Sequence, residues 1–143
     1  MSADGVLATG LTTVGHIVAT NTLTFTPSQN GLAIAADLLS SRTAGAPVVD
    51  DKGKYIGFIT ECDLMKALEG GKELSNLTAE DLMQVGPIAV HELTTIADAA
   101  KRMEKGGVLN LPVEKDGKVA YSVTRHDLLR AWIGLGLGMG RHP

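Results

Sequence analysis

Residues 55–64 read YIGFITECDL, and residues 119–128 read VAYSVTRHDL. Each is a run of mostly apolar and β-branched residues that ends in Thr-x-x-Asp-Leu. Such a run makes a strand, and Thr followed three residues later by Asp opens a helix. The same strand-into-helix sentence is therefore written twice, 64 positions apart.

The match extends outward in both copies. Just upstream, Asp51-Lys52-Gly53-Lys54 answers Lys115-Asp116-Gly117-Lys118, a charged glycine turn of the kind that closes a hairpin. Before it, Ala46-Pro47-Val48 answers Leu111-Pro112-Val113, now 65 positions apart. Earlier still, LAIAADLL at 32–39 answers IADAAKRM at 96–103, both amphipathic helices. Thr95 can cap the second of these, and Gly106-Gly107 ends it. Four matches in one order mark a duplicated module, with a period longer than the usual solenoid repeats.

Each copy has one grammar. An opening segment (Thr13 to Val18, Thr78 to Met83) leads to a strand (Thr22 to Phe25, Ile88 to Val90). A helix, a short strand, a hairpin strand and a last helix follow. The expected fold is α/β (α+β), β-α-β-β-α twice. Residues 1–12 form an N-terminal segment, 13–70 the first repeat, 71–77 a linker, 78–133 the second repeat, and 134–143 a flexible Gly-rich tail. A module of roughly 60 residues is marginal alone. The copies are therefore expected to pack with pseudo-two-fold symmetry and to leave two related clefts, where small ligands usually sit.

Composition narrows the function. The 143 residues are 44% apolar and 20% charged, a globular rather than a disordered balance. Thirteen Lys and Arg against sixteen Asp and Glu give a net charge of -3, which argues against a phosphate-neutralising nucleic-acid surface. Cys62 is the single cysteine, so an internal disulfide is excluded and a reducing, cytoplasmic setting is expected. The start MSADGVLATG lacks the basic residues and apolar run of a signal peptide, and nothing approaches the roughly 18 apolar residues of a membrane span. His16, His91, His126 and His142 show no metal-ligand spacing. No Ser-His-Asp order, nucleophile elbow or phosphate-cradling loop appears, so an enzyme is not expected.

Two readings of Thr-x-x-Asp stand side by side. It is a helix cap that satisfies orphan N–H groups. It is also a hydroxyl and a carboxylate at a strand end, able to hold the two hydroxyls of a ribose, with helix N–H groups nearby for phosphate. Taken together, the ordered set Leu-x-x-Ala-Ala-x-x-Leu, Ala-Pro-Val-Val-Asp and Gly-Lys-Tyr-Ile-Gly-Phe-Ile-Thr-x-x-Asp-Leu, repeated, resembles a tandem pair of cystathionine-β-synthase (CBS) domains, or Bateman module. The resemblance runs from about Thr13 to Ile133.

The resemblance implies a regulatory module that binds AMP, ADP, ATP or S-adenosylmethionine, dimerises, and modulates a partner enzyme or transporter without catalysis. Residue by residue, it assigns Thr60 and Asp63, and Thr124 and Asp127, to the ribose. It assigns Ala46-Pro47 and Leu111-Pro112 to the base pocket, together with the stretches near Ala19-Thr20 and Gln84-Val85. Arg125 is placed to reach phosphate or to stand as a solvated arginine at a helix start. Where the first copy has Gly57 the second has Tyr121, which either occludes its cleft or packs in the core. The alternative function is a structural dimerisation or docking module with vestigial clefts.

Overall fold

The structure is a computed structural model that describes residues 11–19, 21–85 and 88–138. A 3₁₀ turn at Val14–His16 comes first. Helix α1 (Gly31–Ser41) leads to strand β1 (Gly45–Val49), strand β2 (Tyr55–Thr60) and helix α2 (Glu61–Glu69). A second 3₁₀ turn (Leu74–Asn76) precedes the single-turn helix α3 (Ala79–Leu82). Strand β3 (Val90–His91), helix α4 (Ile96–Gly106), strands β4 (Asn110–Lys115) and β5 (Lys118–Thr124) and helix α5 (Arg125–Trp132) complete the chain. The architecture is mixed α/β, and the order of elements is repeated.

The hairpins form where the charged glycine turns place them. Strands β1 and β2 pair antiparallel, from Gly45 opposite Thr60 to Val49 opposite Tyr55. Asp50 closes their turn: its carboxylate accepts from Lys54 N at 2.9 Å and Lys52 N at 2.8 Å. The Lys54 amide, joined more weakly by the Lys52 amide and both lysine charges, holds that carboxyl below its ordinary pKa against the opposing effect of desolvation. In the other copy β3, β4 and β5 form a three-stranded sheet, with β3 parallel to β4.

The strand expected at Thr22 to Phe25 is smaller than its sequence pattern. It is a single parallel bridge, in which Phe25 N donates to Pro47 O at 2.9 Å and Val49 N donates to Phe25 O at 2.8 Å. Pro27 follows two residues later and has no N–H with which to extend the ladder.

The chain divides into two compact units, and they cut across the sequence copies. One gathers described residues from 11–22, 88–116 and 120–138; the other gathers those from 23–87 and 117–119. The first has an aliphatic core that includes Val14, Val90, Ile96, Leu111, Val113 and Val123. The second is built around Phe25, Ile34, Leu38, Val48, Ile59 and Ala79. The opening segments are thus exchanged. Val14 sits among the strands of the second copy, with its N–H on Thr94 O at 2.8 Å, and Ile96 N donates to Thr12 O at 2.7 Å. Ala79 and Leu82 in turn sit in the core of the first copy, where Ala79 N donates to Gln29 O at 2.9 Å and Gly31 N donates to Leu77 O at 2.8 Å.

The Gly-rich stretch is not free from its start. Val18 N donates to Gly136 O at 2.9 Å and Gly138 N donates to His16 O at 2.8 Å, so 136–138 pair with the first opening segment. Residues 139–143 of the expected tail lie outside the described ones.

Candidate functional site

Three of the four Thr-x-x-Asp sequences of the chain build a full capping box; at Thr95 only the first half forms, with Asp98 N donating to Thr95 Oγ1 at 3.1 Å. Thr60 Oγ1 accepts from Asp63 N at 3.2 Å, and Asp63 Oδ2 accepts from Thr60 N at 2.8 Å. Thr124 and Asp127 repeat this at 3.1 and 2.9 Å. So do Thr78 and Asp81 at the start of α3, a third instance outside the repeated motif. Bonding to the Thr78 amide and hydroxyl, aided more weakly by the Lys72 charge, keeps the Asp81 carboxyl below its ordinary pKa. The cap is therefore the local cause of the geometry at all three places. It does not by itself distinguish a ligand site.

The two repeated boxes differ in what they leave free. In the first copy Thr60 Oγ1 also donates to Asp63 Oδ2 at 3.0 Å, and Gln84 Nε2 donates to Asp63 Oδ1 at 2.8 Å. Gln84 is brought there by backbone pairing with Phe58 in both directions, at 3.0 and 2.9 Å. Both oxygens of Asp63 are thus taken. In the second copy Asp127 is only 9% exposed, yet among the described residues its Oδ1 has no partner, and Thr124 does not donate to it.

Strand alternation sorts the residues around each motif. Leu111, Val113 and Val123 point into the core, so Asn110, Ser122 and Thr124 share the opposite face of β4 and β5. The two hairpins are in the same register, because Glu61 N donates to Ala44 O at 2.8 Å and Arg125 N donates to Leu109 O at 3.3 Å. Asn110 therefore stands where the first copy has Gly45, and Ser122 where it has Phe58. A Cβ on Gly45 would lie 2.7 Å from Phe58 Cε2 and 3.3 Å from Thr60 Cγ2, so the Phe58 ring covers that spot. In the second copy the ring is replaced by two polar side chains. Asn110 is 7% exposed and Ser122 1%, and Asn110 Oδ1 and Ser122 Oγ are buried without a hydrogen-bond partner.

The remaining expected residues fall into three groups. Ala46, Pro47, Leu111 and Pro112 are all buried, and Ala46 and Leu111 are core members of their units. Val85 and Arg125 are exposed, and Thr20 lies outside the described residues. Tyr121 packs against the core and donates its hydroxyl to Val14 O at 2.8 Å, so it anchors the opening segment. On the first copy a shallow pocket of about 510 Å³ is lined by Asp63, Lys66, Lys72, Leu77 and Asp81, among others. No group of His, Cys, Asp and Glu among the described residues is arranged to hold a metal. Asn110 and Ser122 were not singled out by the sequence. Laying one copy over the other flags them, as adjacent places where small or aromatic residues give way to polar ones.

Known proteins share this fold. The CBS domain family matches residues 14–70 and 79–134. An uncharacterized protein of Methanopyrus kandleri is 31% identical over 119 residues, 82% of this chain and 61% of its own. The L-aspartate semialdehyde sulfurtransferase of Methanocaldococcus jannaschii is 30% identical over 125 residues, 87% of this chain and 24% of its own. The chain thus spans less than two thirds of either relative. Among solved structures, the CBS domain pair of protein MJ0100, in complex with 5′-methylthioadenosine and S-adenosyl-L-methionine, superposes with a TM-score of 0.74 at 30% identity, over 84% of this chain and 94% of that one. CBSX2 in complex with AMP superposes at 0.71 and 27% identity, over 84% and 95%.

Proposed function

The chain belongs to the CBS domain family, and from that premise we propose that it is a regulatory module that binds AMP, ADP, ATP or S-adenosylmethionine and modulates a partner enzyme or transporter. The observation that carries this reading is the recurrence of a Thr hydroxyl beside an Asp carboxylate at the same place in both copies, where a hairpin strand, β2 or β5, runs directly into a helix. A hydroxyl-carboxylate pair matches vicinal ribose hydroxyls, and helix-start N–H groups favour phosphate. Support comes from the relatives whose pairs hold adenosine compounds.

The module does no chemistry of its own in this reading. The sulfurtransferase and an arabinose 5-phosphate isomerase of Pseudomonas aeruginosa are named enzymes, but the chain spans only 24% and 27% of them. It corresponds to a part of each, beside other sequence that has room for the chemistry. We place the protein in the cytoplasm, where an exposed Cys62 stays reduced. No helix among the described residues is long and apolar enough to cross a membrane. A homodimer is part of the proposal, since α2 exposes Met65 and Leu68, and α5 repeats them as Leu129 and Trp132.

The test is a thermal shift with each of the four ligands. A ligand that binds only the native state, at 100 times its Kd, adds about 2.7 kcal/mol. A rise in Tm with at least one ligand is expected, and its loss in Asp127→Ala. No rise with any of the four at millimolar concentration leaves the dimerisation reading in its place.

A further inference from the structure

The two copies differ at the face that carries the motif. In the first, Phe58 covers the position beside Thr60, Gln84 takes Asp63 Oδ1, and the Thr60 hydroxyl takes Asp63 Oδ2. Both Asp63 oxygens thus already accept a hydrogen bond from a side chain of the same copy. In the second, among the described residues, Asp127 Oδ1 is without a partner, and Asn110 Oδ1 and Ser122 Oγ lie beside Thr124 on one strand face, both buried and both without a hydrogen bond. Buried polar atoms are almost always paired, so two orphans next to an open carboxylate need an explanation.

Resting on the adenosine-binding reading above, we propose that the second copy alone takes the ligand, one molecule per chain, and that Asn110 and Ser122 hydrogen-bond it alongside Thr124 and Asp127. Asn110 Oδ1 accepts from an amine or hydroxyl of the ligand, and Ser122 Oγ donates or accepts. The two orphan atoms are covered in the ligand-free chain, so a ligand reaches them only as this face rearranges. Satisfying them favours the rearranged state over the covered one. That difference in affinity between two states is what a sensor requires, since equal affinity for both would shift nothing.

Titration calorimetry of the full chain with AMP, and separately with S-adenosylmethionine, tests this. The expected stoichiometry is one per chain for whichever binds. Asn110→Leu and Ser122→Ala should each weaken binding by about tenfold or more. Ser122→Ala should also raise the Tm of the ligand-free protein by a few degrees, because it removes an unpaired buried hydroxyl. Two molecules per chain, undiminished affinity in both variants, or a lowered ligand-free Tm in Ser122→Ala would overturn the assignment while leaving the sensing reading intact. Absence of binding of AMP, ADP, ATP and S-adenosylmethionine alike to the wild-type chain overturns both.

Discussion

Gly57 and Tyr121 occupy the same place in the two copies and solve one packing problem in opposite ways. A Cβ on Gly57 would run into Met83 Sδ and approach Gln84 O at 3.1 Å. The second opening segment lies directly over that bare backbone. Its counterpart in the other unit is instead reached by the Tyr121 hydroxyl, which bonds Val14 O. Gly57→Ala is therefore expected to destabilise the fold by about 1–3 kcal/mol, as overpacking does. Urea unfolding measures it, and an unchanged midpoint would contradict the contact. The sequence raised two fates for Tyr121, occlusion of a cleft or packing in the core, and the geometry packs it, half-buried, against the core. Sequence could not separate them because a strand residue's face depends on register. The caps were legible, since Thr and Asp three apart act within one helical turn. The loss of both Asp63 oxygens was not, because Gln84 comes from 21 residues away.

At the scale of elements, helices were read more closely than strands. Helix α1 begins and ends where its pattern of Ala and Leu does, and α4 starts after Thr95 and stops before Gly107. Such boundaries are set by neighbours in sequence. The opening strand of the first copy depended on a partner far away and shrank to a bridge. The two helix ends also invite a direct comparison. Gly107 ends α4 in the left-handed region at φ 63, and Arg42 ends α1 in the same region at φ 56. Gly adopts that conformation without steric cost, while a residue with a Cβ does not. Arg42→Gly is thus expected to stabilise the protein by about 1 kcal/mol. A lower Tm would show that the arginine side chain does something the backbone account omits.

On the scale of the whole molecule, the duplication was plain in the sequence, and the exchange of opening segments was not. A repeat alignment reports which residues share an origin. Packing decides which residues share a core. Ala79 aligns with the opening segment of the first copy yet is buried among the first copy's own strands and helices. The proposed homodimer is tested at this scale. Met65 and Leu68 on α2, and separately Leu129 and Trp132 on α5, are exposed apolar side chains, and either helix can meet its own copy on a second chain in a closed two-fold contact. Light scattering after size exclusion should give twice the 14.9 kDa of one chain. Leu68→Glu with Trp132→Glu should return it to one chain, and a monomeric wild type would remove the homodimer from the proposal.

The crossed opening segments bear on descent. A forebear with a single copy would have carried a first stretch with no place in its own interior. It could have closed its core only by trading that stretch with an identical chain. Fusing two such genes would have turned an obligatory handshake between molecules into a private one. Thereafter the two halves were free to diverge, one carrying Phe58 and the other Asn110 and Ser122.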